Sequence, residues 1–333
     1  MASPVSGNAF QTFQAIGRRE DLEDVIYNID PVETPFMTMA ARGKATNTFH
    51  EWQTDALASA SATNAAIEGD DAANGTSTPT VRLGNYTQIS TKYAVVTDTQ
   101  IAVDSAGRSN EMSYQVAKRL AELKRDMESN LTQNGGSTSG SAASARTSAG
   151  LESWLTSTTG NASVGNSTSI GTGGNYTTPG FASGGFAGPT DASNTATFTV
   201  TPLKNTIQKI WTDGGNPGII MVGGGIKQTV SGFTGIATLY REAGSTAKGT
   251  AIVGAADIYI SDFGEHRVVP NRFQRNRTAF VLDMDFWSVA YLRKVSQKEI
   301  ARTGSSEKRF IDVEYTLVSK NQLASGKIAD IRS

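Results

Sequence analysis

The segment 109–133 carries the clearest helical pattern in the chain. Apolar residues recur at steps of three and four along its whole length and form one stripe: Met112, Val116, Leu120, Leu123, Met127 and Leu131. Either of the two polar residues before Glu111 can cap its start, and the segment 134–136 (Asn-Gly-Gly) ends it. At ~1.5 Å per residue such a helix is about 37 Å long, enough to act as the spine of a domain. We expect the stripe to pack into a core and Glu128 to pair with Lys124 on the solvated side.

Composition excludes several classes of protein. The 333 residues suggest two domains, or one large domain with excursions, and the net charge of −1 argues against a dedicated nucleic-acid binder. There is no cysteine and there are only two histidines, His50 and His266, which excludes thiolate sites and histidine-rich metal sites. We therefore expect no cofactor and no metal. The sequence also lacks a signal-peptide pattern and a long apolar run, so we expect a protein kept in the cytoplasm where it is made.

Residues 1–43 resemble an extended arm more than a compact unit. The run from Arg18 through Arg19 and Glu20 to Asp21 changes sign abruptly, either as a solvated helix start or as a charged contact between subunits. The pattern from Arg18 to about Asn28 predicts a short helix, which prolines 31 and 35 end. Because a free arm would not carry the apolar residues of the segment 34–39, we expect this part to dock on another surface.

Residues 44–98 predict a long two-stranded hairpin with a polar, loose tip. The first strand contains Trp52, and the tip carries Glu68, Asp70 and Asp71 in a spacing that does not match a calcium loop. An isolated hairpin is at best marginally stable in water, so we expect a neighbouring subunit to cover it. These four residues are therefore candidates for contacts between subunits.

The two blocks FQAIGRREDLEDVIYNIDPVETPFMTM and HEWQTDALASASATNAAIEG resemble the opening of tailed-phage major capsid proteins. The resemblance implies the α+β Hong Kong 97 type fold, with its parts in the same order along the chain. Those parts are an N-terminal arm (1–43), an extended hairpin loop (44–98), a peripheral domain with the spine helix (99–150), an axial domain with loop insertions (151–265) and return strands (266–333). It also implies pentamers and hexamers of an icosahedral head around double-stranded DNA, assembled in the host cytoplasm and located in the virion.

The middle of the chain offers one motif that could suggest an enzyme. Segment 202–213 predicts a helix with Trp211 on its apolar face, and segment 218–222 predicts a buried strand. The glycine run 223–225, followed by Lys227, invites a phosphate-binding interpretation, but the spacing does not match a P-loop. We favour a tight strand-to-helix turn, and we expect most of 134–197 to form surface loops pinned at Trp154.

The last third contains a basic cluster and a carboxylate pair. Arg272, Arg275 and Arg277 follow one another closely, and they could contact nucleic acid or pair with the acidic loop of a neighbour. Asp283 and Asp285 would share a face if they lie on a strand, where we favour structural hydrogen bonds over acid–base chemistry. Segment 310–318 alternates apolar and polar residues, which predicts a half-buried strand.

Three functions remain open from these patterns: a major capsid protein, another self-assembling phage protein such as a tail tube or decoration subunit, and, less favoured, a phosphate-binding enzyme. For a capsid protein the expected partners are further copies, a separate scaffolding chain, cement proteins and weakly, non-specifically contacted DNA, with no membrane. Some capsids of this fold form Lys–Asn cross-links from a lysine on the extended loop. Since segment 45–91 has no lysine, we expect no such bond.

Overall fold

The computed structural model describes most of the chain from residue 32 onward. The described residues are 32–55, 57–58, 60–65, 67–69, 75, 79–103, 110–155, 164–165, 185–186, 188–189, 191, 195–233 and 257–332. The predictions made on Arg18, Arg19, Glu20, Asp21, Asp70 and Asp71 lie outside these ranges.

The helices and strands follow each other in a mixed order. The helices are α1 (Pro35–Met39), α2 (Asp98–Ala102), α3 (Glu111–Leu131), α4 (Leu151–Trp154), α5 (Val200–Thr212) and α6 (Gly224–Ser231). The strands are β1 (Ala41–Lys44), β2 (Phe49–Thr54), β3 (Val81–Tyr86), β4 (Gln88–Thr97), β5 (Ser137–Thr138), β6 (Val164–Gly165), β7 (Gly185–Phe186), β8 (Ala196–Thr197), β9 (Ile219–Val222), β10 (Ile258–Ser261), β11 (Gly264–Pro270), β12 (Ala279–Leu282), β13 (Trp287–Ile300), β14 (Ser306–Ser319), β15 (Gly326–Ala329) and β16 (Ile331–Arg332). Two short 3₁₀ turns span Met284–Phe286 and Gln322–Ala324.

Helix α3 is the predicted spine helix. The side chain of Asn110 caps it by accepting a hydrogen bond from the Ser113 amide at 2.9 Å. The predicted stripe is buried, with Leu120 half-buried at its margin. The prediction for Glu128 is wrong, because this carboxylate points inward and is fully buried instead of pairing with Lys124 on the surface.

One four-stranded sheet has the order β1-β13-β14-β4, and α3 packs on it across β4 and β14; we call it the peripheral sheet. Strand β1 runs parallel to β13, and the other pairs are antiparallel. Strand β4 therefore belongs to this sheet, although it falls within the range predicted for the hairpin. The prediction of a half-buried β14 is wrong, because Asp312 and Glu314 on its polar face are buried as well.

Ion pairs with two partly exposed arginines explain why buried acids can occupy the polar face of β14. The guanidinium of Arg293 lies 2.5 Å from Asp312 and 2.9 Å from Glu314, and Arg146 also pairs with Glu314. A hydrogen bond from Ser296 lowers the pKa of Asp312 against the opposing effect of burial. Burial alone would raise the pKa of Glu314, but the bonds from Arg293 and Thr87 bring it below its usual value.

A six-stranded sheet has the order β10-β11-β9-β12-β15-β6, and we call it the axial sheet. It separates two apolar cores. Met221 and Phe280 face the core of the spine helix, whereas Ile220 and Val222 face the core under α5 and α6. Successive side chains of β9 therefore enter opposite cores, as expected for a strand that is buried on both faces.

Two predicted details of the axial region are wrong. Trp211 lies off the apolar face of α5, with 57% of its surface exposed, and its ring packs at a tilt against Phe263 with 5.1 Å between the ring centres. Asp283 and Asp285 do not share a strand face. Asp283 instead caps the 3₁₀ turn 284–286 by accepting a hydrogen bond from the Asp285 amide, and its other oxygen accepts one from the Asn216 amide.

The replacement Leu123→Asp should unfold the protein, since Leu123 is buried in the peripheral core beneath α3. An unpaired buried charge costs several kcal/mol, a large part of the about 5–15 kcal/mol that stabilises a domain. Ala117→Asp is the matched control, because residue 117 is exposed on the same helix. Circular dichroism melting should show no cooperative transition for the first variant and a near-native one for the second. A cooperative, wild-type-like melt of Leu123→Asp would contradict the core assignment.

Candidate assembly surfaces

A buried carboxylate fixes the start of the described chain to the spine. Glu128 on α3 accepts hydrogen bonds from the amides of Phe36 and Met37 at 2.8 and 2.9 Å, and from the Asn271 side chain at 2.7 Å. Burial raises its pKa, and the three hydrogen bonds oppose this effect. Glu128 thereby provides the negative charge for the N-terminus of α1, where the side chain of Thr34 makes no cap. We call this arrangement the Glu128 clamp.

The clamp confirms that segment 34–39 docks. The Phe36 ring is fully buried and meets Trp287 edge-on at 6.5 Å. The docking partner is the chain's own core. The sequence did indicate docking, from apolar residues after a proline, but Glu128 itself resembled an ordinary surface member of a charged pair.

The base of the hairpin β2–β3 is also held by its own subunit. The Trp52 ring packs on Trp154 at 5.4 Å, and Phe49 packs on Tyr86 at 4.6 Å. Asn85, fully buried, donates to the Leu317 carbonyl at 2.8 Å and accepts from the Ala149 amide at 3.0 Å. The expectation of a hairpin without intramolecular cover is therefore wrong for its base, and the main described contact of Trp52 lies within the chain.

The hairpin tip contrasts with the base. Leu57 and Ile67 expose 99% and 78% of their surfaces, and Glu68 is exposed beside them. Among the described tip residues no apolar partner covers these two side chains. The tip is thus a surface of the kind that another chain would cover.

A second exposed apolar surface was missed from the sequence. Ile89, Tyr93 and Val95 lie on the outer face of β4, opposite α3, and are 49%, 56% and 54% exposed. The Tyr93 ring packs at a tilt against Phe310 of β14, with 5.1 Å between the ring centres. The signal was present in the segment 89–96, where residues of both alternation phases are apolar. We call the set Ile89, Tyr93, Val95 and Phe310 the outer-sheet patch.

The three arginines after β11 divide into two kinds. Arg272 is exposed. Arg275 pairs with Glu152 at 3.2 Å and with Asp191, while Arg277 pairs with Asp330 at 2.8 Å. The hydrogen bond from Arg275 lowers the pKa of Asp191. Arg275 and Arg277 are thus engaged inside the subunit.

Next to this network lies a fully buried lysine. Lys327 on β15 donates a hydrogen bond to the Glu152 carbonyl at 2.8 Å. Burial lowers its pKa to about 8, although the carboxylates of Glu152 and Asp330 oppose that effect. The sequence around Lys327 does not distinguish this buried lysine from one exposed on the surface.

The described residues contain no assembled catalytic constellation. Gly223 ends β9 directly before α6, and the Lys227 ammonium is held by Asp257 and the Val268 carbonyl, each at 3.2 Å. This confirms a tight strand-to-helix turn. His266 is buried between the Ser261 hydroxyl and the Pro217 carbonyl, and burial lowers its pKa.

Neither a metal site nor a membrane helix is found in the described ranges. No three histidine, aspartate or glutamate side chains there come close enough to hold an ion. In the same ranges no helix combines the length and the apolar character needed to cross a bilayer.

Sequence comparison decides between the remaining functions. A family model described as the SU10 major capsid protein matches residues 5–332. The chain belongs to the SU10 major capsid protein family. The major capsid protein of Escherichia phage Phieco32 is 29% identical over 357 aligned positions, which cover 98% of this chain and 97% of that protein.

Solved capsid structures share the fold. The Cyanophage A-1(L) capsid asymmetric unit superposes with a TM-score of 0.64 at 14% identity, covering 97% of this chain and 99% of that one. The Cyanophage Pam1 capsid asymmetric unit gives a TM-score of 0.57 at 12% identity, covering 98% and 100%. The predicted α+β Hong Kong 97 type fold is confirmed.

Membership in the SU10 major capsid protein family makes the chain a structural subunit of a phage capsid, a shell of many copies. It is not an enzyme, and the tail tube and decoration alternatives no longer apply. The features described above are therefore to be understood as parts of a shell subunit.

Replacing Glu128 with glutamine should loosen the clamp, because an amide nitrogen would then face hydrogen-bond donors. Leaving buried groups unsatisfied should lower the free energy of unfolding by about 2 kcal/mol and speed amide exchange at Phe36 and Met37. Urea titration and hydrogen exchange would measure both effects. Glu122→Gln, at a partly exposed ion pair, should change stability by less than about 1 kcal/mol. Equal behaviour of the two variants would contradict the clamp.

Stability should rise with pH through the titration of Lys327. The folded protein releases this proton near pH 8, whereas the unfolded chain keeps it up to about pH 10.5. Between these values the unfolded state binds more protons, so the free energy of unfolding should increase by about 3 kcal/mol.

Urea unfolding of wild type and Lys327→Met between pH 7.5 and 10.5 would measure this contribution. The rise should disappear in Lys327→Met and persist in Lys204→Met, a substitution at an exposed lysine on α5. Parallel profiles of wild type and Lys327→Met would contradict the assignment.

Proposed function

We propose that this capsid protein forms pentamers and hexamers of an icosahedral head around double-stranded DNA. We further propose that the hairpin tip of one copy docks on the outer-sheet patch of a neighbour. The second proposal rests on two of the apolar surfaces that the described part of the chain leaves uncovered, at Leu57 and Ile67 and at Ile89, Tyr93 and Val95.

Hydrophobic burial supports pairing these surfaces. Strand β4 is the edge strand of the peripheral sheet, and exposed apolar edge strands promote association. At roughly 25 cal/mol per Å² of apolar area removed from water, covering a few large side chains contributes several kcal/mol per contact. The tip is displaced from the chain's own core, which makes a second copy the natural partner.

Charge complementarity supports the same pairing. The range 55–79 has four acidic residues and no lysine or arginine. In the register of the sheet Lys308 is level with Val95 and Lys298 with Phe310, so both lysines border the outer-sheet patch, where Lys298 also pairs with Asp312 at 3.5 Å. An acidic tip and a basic border attract one another over the Debye length of about 8–10 Å at physiological salt.

Further partners belong to the same proposal. The charged run 18–21 and the exposed Arg272 remain candidates for contacts between subunits. Scaffolding and cement proteins are further expected partners, with assembly in the host cytoplasm. Because segment 45–91 has no lysine, the contacts of the tip should be non-covalent.

Deletion of residues 56–79 should leave a folded subunit that assembles poorly, because the tip contacts neighbours and not its own core. Tyr93→Asp should reproduce the defect from the other side, since it places a charge in the outer-sheet patch. The combination should be no worse than either change alone. Negative-stain electron microscopy and size-exclusion chromatography would score shells, capsomers and monomers.

Gln208→Asp is the control, at an exposed position of α5 away from both surfaces. It should assemble like wild type. Normal shells from the deletion variant would contradict the role of the tip, and normal shells from Tyr93→Asp would contradict the role of the patch.

A further inference from the structure

We propose that Lys308 is a binding site for a carboxylate of a neighbouring subunit, and that Glu68 on the neighbour's hairpin tip fills it. This inference rests on the proposed docking of the tip on the outer-sheet patch. It names the pair of residues that fixes the register of that contact, and it assigns the patch an anion-binding position that its apolar side chains do not provide.

Lys308 lies among apolar side chains on the outer face of the peripheral sheet. In the register of the sheet it is level with Val95 on β4 and with Ile300 on β13. Aligned residues of paired strands point to the same face, and Phe310 follows on that face two residues further along β14. Lys308 is half-buried there. Its neighbours on the sheet face therefore offer its side chain no hydrogen-bond acceptor.

Lys308 also lacks the carboxylate that the other lysine at the patch has. Lys298 lies 3.5 Å from Asp312. The Lys308 ammonium instead donates a hydrogen bond to the Thr303 hydroxyl at 2.8 Å, and among the residues that the structure describes no carboxylate lies within ion-pair distance of it. An ammonium group has three N–H donors, so this hydroxyl leaves room for a carboxylate from another molecule.

Glu68 is the matching acid on the hairpin tip. It is exposed, and in the described part of the chain no cation lies within ion-pair distance of its carboxylate. The adjacent Ile67 exposes 78% of its surface. A docked tip can therefore bring one apolar side chain and one carboxylate to the patch together. Because Lys308 is level with Val95, placing Ile67 against Val95 and Tyr93 brings Glu68 next to the ammonium group.

Partial desolvation makes this pair stronger than an ordinary surface ion pair. Exposed pairs contribute little, because water screens both charges. In the docked contact the apolar side chains exclude water and lower the effective dielectric constant around the pair. An apolar segment without an acid would cover the ammonium group and leave its donors without an acceptor, which costs free energy. Lys308 thereby selects a tip that carries a carboxylate.

Charge reversal with rescue tests the pair in the full-length protein. Lys308→Glu and Glu68→Lys should each raise the lowest protein concentration that gives capsomers or shells by about tenfold, because like charges then meet in a partly desolvated contact. The double variant Lys308→Glu/Glu68→Lys restores opposite charges and should return this concentration to near the wild-type value. Lys204→Glu, at an exposed position of α5, is the matched control and should assemble like wild type. Size-exclusion chromatography and negative-stain electron microscopy would score assembly.

Mixing the two single variants tests whether the contact lies between subunits. In the mixture the reversed tip of one variant meets the reversed lysine position of the other, so assembly should exceed that of either variant alone. A contact within one chain could not be repaired in this way. Lys308→Met keeps the apolar stem and loses the charge. It should show a weaker form of the same defect, and it replaces Lys308→Glu if melting curves show that the reversed variant does not fold.

The outcomes separate this inference from the proposed function. Normal assembly of the Lys308 variants, no rescue by Glu68→Lys, or no recovery in the mixture would overturn the inference. Rescue of Lys308→Glu by Asp70→Lys in place of Glu68→Lys would overturn it as well, because the acid would then be a different one. The docking itself is tested separately by Tyr93→Asp and the tip deletion. Wild-type subunits that form neither shells nor capsomers would count against the proposed function instead.

Discussion

The Glu128 clamp is the interaction on which the arrangement of the subunit depends. A carboxylate in an apolar interior is costly unless hydrogen-bond donors surround it. Here the donors come from the first turn of α1 and from Asn271 after β11, so the charge can be buried only when both segments are in place. One side chain thereby joins the start of the described chain, the spine helix and the axial sheet.

Strand β14 likewise buries carboxylates whose partners come from other segments of the chain. Its apolar face lies in the core beneath α3, and its acids are buried on the other face. Arg146 comes from the segment after α3, whereas Arg293 comes from the neighbouring strand β13. Loss of either arginine would leave a buried acid short of a partner, so the ion pairs tie the distant segment after α3 to the β13–β14 hairpin.

Patterns that repeat within a short segment were predictable from the sequence. The spine helix, the hairpin strands, helix α5 and the strand-to-helix turn at Gly223 all depend on local periodicity or local turn chemistry. The resemblance to phage capsid proteins then implied their arrangement. None of these predictions required knowledge of a distant partner.

The wrong predictions concern residues whose contacts lie far along the chain. Glu128 has a lysine at the expected spacing on its own helix, but donors far along the chain determine where it points. Trp52 is likewise held by Trp154, and Asp283 by the Asn216 amide. The outer-sheet patch was missed for a related reason, because both faces of β4 are apolar and only the packing of α3 decides which one is covered.

The axial sheet has a mechanical consequence for the proposed shell. The two faces of this sheet pack into two different cores, so the sheet joins the spine-helix side of the subunit to the α5 side. A subunit that occupies both five-fold and six-fold positions has to absorb a difference in angle without opening that sheet. In the proposed shell the deformation would then fall on parts outside both cores, and the body built on the two cores would set the curvature of the shell.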